Sequence, residues 1–346
     1  GIGKTALDIM RLSDTVNAVK NRPYDAAVLY SDASRTYNKA YLNGLYNVYS
    51  AFSYCGKKVR FVTENQLKDG TVSLSDYPIL AVACAKNVFD ITVDKISDYA
   101  SNGGNVLIFD TDSLKYNEYN NLVPERESAV SSLKNTETYS VSYNGFNMTS
   151  DISQIIYDKT DMLFSDSITV ENADGTRSSV VYDIADCGGN TVINLCNYSF
   201  ENVTANIKNG GIGIENMTDL ISGSTVSESL VLEPYKPVLL SVKSADVGNF
   251  ELYDENGVLQ DEAVSGKYTA KVSVKNNMFN EDFKAVFITA VYNADKSLEQ
   301  VERVEKTVLP GHTENFSVQN ISVKSGQTLK MFLWKGAESL EPVKGQ

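Results

Sequence analysis

Four short apolar runs stand out in the first third of the chain: Ala26-Ala27-Val28-Leu29-Tyr30, Val59-Arg60-Phe61-Val62, Ile79-Leu80-Ala81-Val82-Ala83 and Val106-Leu107-Ile108-Phe109. They are short and rich in β-formers, and helix-period segments lie among them, so Tyr24 to Leu114 reads strand, helix, strand, strand, helix, strand. That alternation predicts a parallel sheet with helices on both faces. Ahead of it, Leu7, Met10, Leu12, Val16 and Val19 fall roughly on one face of a helix from Thr5 to Lys20, and Pro23 stops it. Between the first two runs, Tyr41, Leu45, Val48, Phe52 and Cys55 recur at three- and four-residue steps and predict the sheet-facing side of a helix from about Tyr37 to Cys55. Tyr46, Tyr49 and Tyr54 of that helix read as packing or subunit contact before they read as a sugar-stacking strip.

From about Asn117 to Asp166 the chain is polar, and only Ser150 to Tyr157 reads as a further element. The pattern then changes to short runs separated by Gly- and Asn-rich turns: Ile168-Thr169-Val170, Ser179-Val180-Val181-Tyr182, Thr191 to Cys196, Val203 to Ile207 and Leu230 to Leu240. Alternation with close turns predicts an antiparallel β-domain. From about Ala245 six more runs, ending at Thr328 to Trp334, predict an immunoglobulin-like sandwich. The fold class is therefore multidomain, α/β followed by two all-β domains. The expected division is a linking helix over 1–22, an α/β domain over 23–165, a small antiparallel domain over 166–244 and a sandwich over 245–346.

Length agrees, since 346 residues exceed one ordinary core. A formal charge of −13 argues against nucleic acid or an anionic membrane as partner. No run approaches membrane-spanning length. The four cysteines, Cys55, Cys84, Cys187 and Cys196, form no CxxC pair, so no metal spacing is present; they read as free, mostly buried thiols, and no cofactor is called for. The single histidine, His312, lies in a Pro-Gly-His turn far from the first domain. Gly1-Ile2-Gly3-Lys4-Thr5 resembles the end of a phosphate-binding loop without the strand and spacer that pattern needs, so a linking helix is the better reading. A start at Gly1 suggests a piece of something longer. Six Asn-x-Ser/Thr sequons, Asn147-Met148-Thr149 among them, are expected by chance in so Asn- and Ser-rich a chain.

In doubly wound sheets ligands bind beyond the carboxyl ends of the strands. Here that edge carries Ser31, Asp32 and Arg35, then Cys84, Lys86 and Asn87, then Asp110, Asp112 and Ser113. Cys84 stands where a cysteine nucleophile would, but the flanking Val82-Ala83 and Ala85-Lys86 supply no glycine for a sharp turn and no base is near. Asp110 and Asp112 fit acid-base or cation chemistry, or the local turn role common at strand ends, which is the favoured reading. Tyr116, Tyr119 and Trp334 are candidate sugar-stacking rings, with the sandwich core as the default place for Trp334.

The succession Tyr24-Asp25-Ala26-Ala27-Val28-Leu29-Tyr30-Ser31, Ser34-Arg35, a tyrosine-rich helix, Tyr77-Pro78-Ile79-Leu80 and Ile96 to Leu107 resembles the middle domain of family 42 bacterial β-galactosidases. The resemblance implies a flavodoxin-like domain of amidotransferase descent without its catalysis, which mediates trimer formation behind a barrel that carries the chemistry. Leu230 to Leu240 is similar to the end of the small C-terminal β-domains of glycoside hydrolases. Lys330-Met331-Phe332-Leu333-Trp334-Lys335 is similar to accessory sandwich domains of secreted enzymes from anaerobic cellulose-degrading bacteria. The chain has no eight-fold strand-helix alternation to set two carboxylates across a sugar. The resemblance thus implies a non-catalytic region of a secreted bacterial hydrolase, acting with its own upstream catalytic domain as partner and forming a homotrimer. A carbohydrate-binding module for polysaccharide and an enzyme using Cys84 or Asp110 with Asp112 are the alternatives.

Overall fold

The computed structural model describes residues 2–143, 145, 150–164, 168–187, 190–210, 212–214, 217–277, 282–336 and 341–345. The expected boundary at 165/166 and the Asn147 sequon lie outside the described residues. The chain falls into two compact units, Gly1–Cys187 with Val192–Ser241, and Gly188–Thr191 with Val242–Gln346. Among the described residues no helix is long and apolar enough to cross a membrane.

The first unit opens with α1 (Ile2–Arg11) and α2 (Ser13–Asn21) where the pattern predicts one helix. The break is a bend at Leu12, across which hydrogen bonding continues from Leu12 N–H to Asp8 O and from Val16 N–H to Leu12 O, both 2.9 Å. There follow β1 (Ala26–Tyr30), α3 (Asp32–Tyr37), α4 (Tyr41–Tyr54), β2 (Val59–Thr63), α5 (Glu64–Lys68), β3 (Ile79–Ala83), α6 (Asp90–Ser101), β4 (Asn105–Phe109), α7 (Glu125–Ser131), β5 (Thr136–Tyr139) and α8 (Ser150–Leu163). The strands form one parallel sheet in the order β2-β1-β3-β4-β5.

Burial follows position in that sheet. Ala26 to Leu29 and Ile79 to Ala83 are wholly inaccessible because β1 and β3 are covered on both faces, which is why they read as continuous apolar runs. On α4 the stripe Tyr41, Leu45, Val48, Phe52 and Cys55 is buried as its spacing predicts. Each such side chain stabilises by roughly 1.5–3 kcal/mol. The Tyr41 hydroxyl is satisfied inside the core, accepting from Ser31 N–H at 2.8 Å and donating to Leu29 O at 3.1 Å.

Three elements depart from the sequence reading. The helix expected from Tyr37 starts at Tyr41, and α3 precedes it, with the Ser31 hydroxyl accepting from Ser34 N–H as an N-cap. Helix α5 begins on a capping box between Thr63 and Gln66. The polar stretch holds α7 and β5 as well as α8; β5 is an edge strand, paired on one side only, from Val106↔Thr136 to Phe109↔Tyr139, so it needs no apolar run.

The rest of this unit is antiparallel: β6 (Ile168–Asn172), β7 (Val180–Cys187), β8 (Asn190–Asn197), β9 (Val203–Asn209), β10 (Ile212–Gly213), β11 (Met217–Asp219), β12 (Thr225–Val226), β13 (Ser229–Leu232) and β14 (Val238–Lys243). One sheet runs β10-β9-β13 with β6 beside β9, and the other β12-β11-β14-β8-β7. Arg22 ties this region to the start of β1: its guanidinium donates to Asp183 (2.8 Å), Asp25 (3.0 Å) and Gly56 O (3.0 Å).

The second unit contains β15 (Ala245–Val247), β16 (Glu251–Asp254), β17 (Leu259–Gln260), β18 (Gly266–Asn276), β19 (Phe283–Tyr292), β20 (Leu298–Val308), β21 (Thr313–Val323), β22 (Thr328–Lys335) and β23 (Glu341–Gly345). Two antiparallel sheets, β15-β18-β16-β17 with β21 beside β18 and β20-β19-β22-β23, share one core that includes Val272, Phe287, Phe316 and Leu333. Met331 and Leu333 point into it, so strand alternation sends Phe332 and Trp334 to the opposite face, their rings 6.4 Å apart. Trp334 is thus half-buried on the outside of its sheet, not in the core where its place at the end of an apolar strand suggested.

Candidate functional site

The carboxyl edge of the parallel sheet is where a ligand crevice belongs, and its side chains are largely committed to one another. After β1, the Ser31 and Ser34 hydroxyls both donate to Asn87 O, at 2.6 and 2.7 Å, binding the end of β1 to the segment after β3. Asn87 N–H returns a bond to the Ser34 hydroxyl at 2.9 Å. Glu64, at the start of α5, is buried and accepts from Phe89 N–H at 2.6 Å and Thr92 Oγ1 at 2.9 Å, which makes it a remote cap for α6. Burial pushes its carboxyl above the usual range, partly offset by the nearby Ser31 hydroxyl and by the bonds it accepts from Phe89 and Thr92. Asp32 sits in the exposed first turn of α3, and exposed Arg35 reaches back to the Tyr30 hydroxyl at 3.1 Å, so neither joins a constellation.

After β3 and β4 the structure brings Cys84, Lys86, Asp110 and Asp112 together. Lys86 Nζ lies 3.0 Å from Asp112 and 3.4 Å from Asp110, and Asp112 also meets Lys115 at 3.6 Å. Asp110 Oδ1 accepts from Asp112 N–H at 3.0 Å, closing a turn. Hydrogen bonding and charge from Lys86 hold the Asp112 carboxyl below its usual range. The two carboxylates are therefore occupied by an ammonium group and a turn. Among the described residues no group of three or more His, Cys, Asp and Glu gathers as a metal ion would require.

Cys84 has the backbone of an activated position without the chemistry. Its φ of 53° and the 100° of Asp110 are left-handed at non-glycine residues, so both strand ends carry strain. This sharp turn forms although no glycine flanks the cysteine. The side chain, however, is 1% exposed. Burial pushes the thiol up to about 12, a hydrogen bond from Tyr143 lowers it and the Asp110 charge raises it. The buried thiol therefore stays protonated near neutrality and is a poor nucleophile. Its carbonyl takes Asn38 Nδ2 at 2.9 Å.

Gly44 and Tyr143 close the space over the sulfur. A Cβ at Gly44 would lie 2.9 Å from Cys84 Sγ and 3.2 Å from both Cys84 Cβ and Tyr143 Cζ, so α4 reaches this strand end only because position 44 is glycine. Sequence reasoning missed Gly44, Asn38, Tyr143 and Glu64; a glycine inside a helical pattern was the one available signal. Of the stacking candidates, Tyr119 is exposed and Tyr116 half-buried in the loop after β4, where Tyr116 O accepts from Arg126 at 2.7 Å.

No protein-family model matches this chain, and no curated protein matches it. Among solved structures, the apo exo-carrageenase of glycoside hydrolase family 42 from Bacteroides ovatus superposes with a TM-score of 0.55 at 17% identity, over 68% of this chain and 31% of that one. Gan42B, a family 42 β-galactosidase from G. stearothermophilus, gives 0.48 at 11% identity over 64% of this chain and 41% of its own. The β-galactosidase from Bacillus circulans sp. alkalophilus gives 0.46 at 12% over 68% and 43%. The chain spans about a third of the length of the carrageenase, with which it shares a fold at an identity that speaks for fold alone.

Proposed function

We propose that this chain is the non-catalytic portion of a larger glycoside hydrolase, serving to hold and assemble the part that carries the chemistry. In this reading the parallel domain is flavodoxin-like, as its 2-1-3-4-5 strand order supports. The second unit is an immunoglobulin-like sandwich, and the parent is a secreted bacterial enzyme. The observation that carries the reading is the closed crevice: Cys84 is sealed beneath Gly44 and Tyr143, and Asp110 and Asp112 are joined through Lys86. A fold that elsewhere presents a reactive strand end here fills it with packing and ion pairs.

Assembly is supported by the apolar side chains left open on α1, where Leu7, Ile9 and Met10 are all exposed. Exposed apolar side chains of this kind suit contact with another domain of the same protein or a neighbouring copy, and a homotrimer is the assembly proposed. The test is to assay the purified chain against aryl β-galactosides and glutamine beside its Cys84→Ala variant. No turnover is expected from either. Hydrolysis by the parent chain that disappears in Cys84→Ala would overturn the reading in favour of an enzyme.

A further inference from the structure

One surface of the first unit plays no part in that reading. Tyr198 and Phe200, in the loop after β8, and Tyr235, just after β13, are 54%, 86% and 52% exposed. Tyr198 and Phe200 each stand edge-to-face against Tyr235, with ring centroids 6.0 Å away and interplanar angles of 82° and 69°.

The corner they form is built rather than incidental. Asn197, wholly buried, donates through Nδ2 to Glu201 O at 2.8 Å and Leu232 O at 3.0 Å. Its Oδ1 accepts from Ser199 N–H and Oγ, both 2.8 Å, and its carbonyl accepts from Tyr235 N–H at 2.8 Å. One side chain thus clasps both loops and fixes the rings on either side. Tyr235 is held at φ 56°, a conformation a bulky residue adopts only where its surroundings enforce it. Burial is the main cause that raises the Tyr198 hydroxyl's pKa, with Cys196 adding to it.

We propose that Tyr198, Phe200 and Tyr235 form a binding platform for a neutral oligosaccharide. The C–H face of a pyranose is weakly positive and covers the negative face of an aromatic ring, while its hydroxyls need polar groups at the rim. Here the rim supplies tyrosine hydroxyls, Glu201 and the exposed Lys236–Glu233 pair at 2.8 Å. The three rings leave open about two aromatic side chains' worth of surface, roughly 300–500 Å². That falls short of the about 800 Å² that each side of a stable protein interface buries. That area fits a few sugar rings in a row. Acidic groups at the rim, on a chain of net charge −13, select a neutral glycan over an anionic one.

This inference stands apart from the assembly reading, and the two are tested by different measurements. The full chain is run on native gels containing neutral β-galactan, neutral β-glucan or a sulfated galactan, beside a Tyr198→Ala/Phe200→Ala variant; both side chains are exposed, and thermal melts check that the variant folds. Retardation by a neutral polymer, weakened at least about tenfold in the variant, is expected. Retardation by neither neutral polymer, retardation only by the sulfated one, or equal retardation of both proteins would overturn the proposal. Sedimentation of the two proteins should agree; a smaller particle for the variant would make these rings a subunit contact and overturn it as well.

Discussion

Replacing Gly44 by alanine puts the closure of the crevice to a quantitative test. In a helix interior, Gly→Ala ordinarily stabilises by about 0.8–1.0 kcal/mol. Here the new methyl would stand 2.9 Å from Cys84 Sγ, closer than real Cβ contacts come, and 3.2 Å from Tyr143 Cζ. Forcing an extra carbon into a packed site costs about 1–3 kcal/mol, so the net expectation is a loss of about 0–2 kcal/mol. In a Cys84→Ala background the sulfur is gone, and the same change should become neutral or stabilising by up to about 1 kcal/mol. The coupling between the two positions is the difference of these, up to about 3 kcal/mol. Among the described residues every helix lies in the first unit and the single tryptophan, Trp334, in the second. Urea unfolding followed by far-ultraviolet circular dichroism therefore reports the first unit, and tryptophan fluorescence the second. Gly44→Ala stabilising equally in both backgrounds would show that α4 is not pressed on the strand end.

Three further outcomes follow from the same geometry. The raised carboxyl of Glu64 binds its proton more tightly in the folded chain, so its contribution is full below about 4.5 and is lost as pH rises through the higher folded value; Glu64→Gln should flatten that fall in a stability-pH series, and an unchanged slope would contradict the buried assignment. Iodoacetamide at about pH 8 should label Cys187 and Cys196 of the native chain in preference to Cys84 and Cys55, whose thiols burial pushes up to about 12; rapid labelling of Cys84 in peptide mapping would refute the sealed site. Arg22→Ala should cost about 1–3 kcal/mol by leaving Asp183 and Gly56 O without their donor, and Arg22→Lys should recover only part of it, read from the dichroism transition.

How much of this was legible depends on how local the cause is. The runs that became β1, β3 and β4 declared themselves because strands buried on both faces must be continuously apolar, and the Tyr41–Cys55 stripe did so because one helix face lies on that sheet. Thr136-Glu137-Thr138-Tyr139 did not, since a polar edge strand is defined by the neighbour that pairs with it. Trp334 shows the same limit: its strand was recognisable, but its face is set by which alternate residues meet the other sheet. At the crevice, the strand-end residues were found from topology, yet the closure depends on Gly44 and Tyr143, which are distant from Cys84 in sequence and meet it only in the folded chain. The aromatic corner depends likewise on Asn197 bringing two loops together.

Multi-angle light scattering of the purified protein across a range of concentrations tests the proposed assembly role. A stable particle of three times 38.0 kDa, unchanged by added sugar, is expected. A mass of 38.0 kDa at every concentration would contradict it.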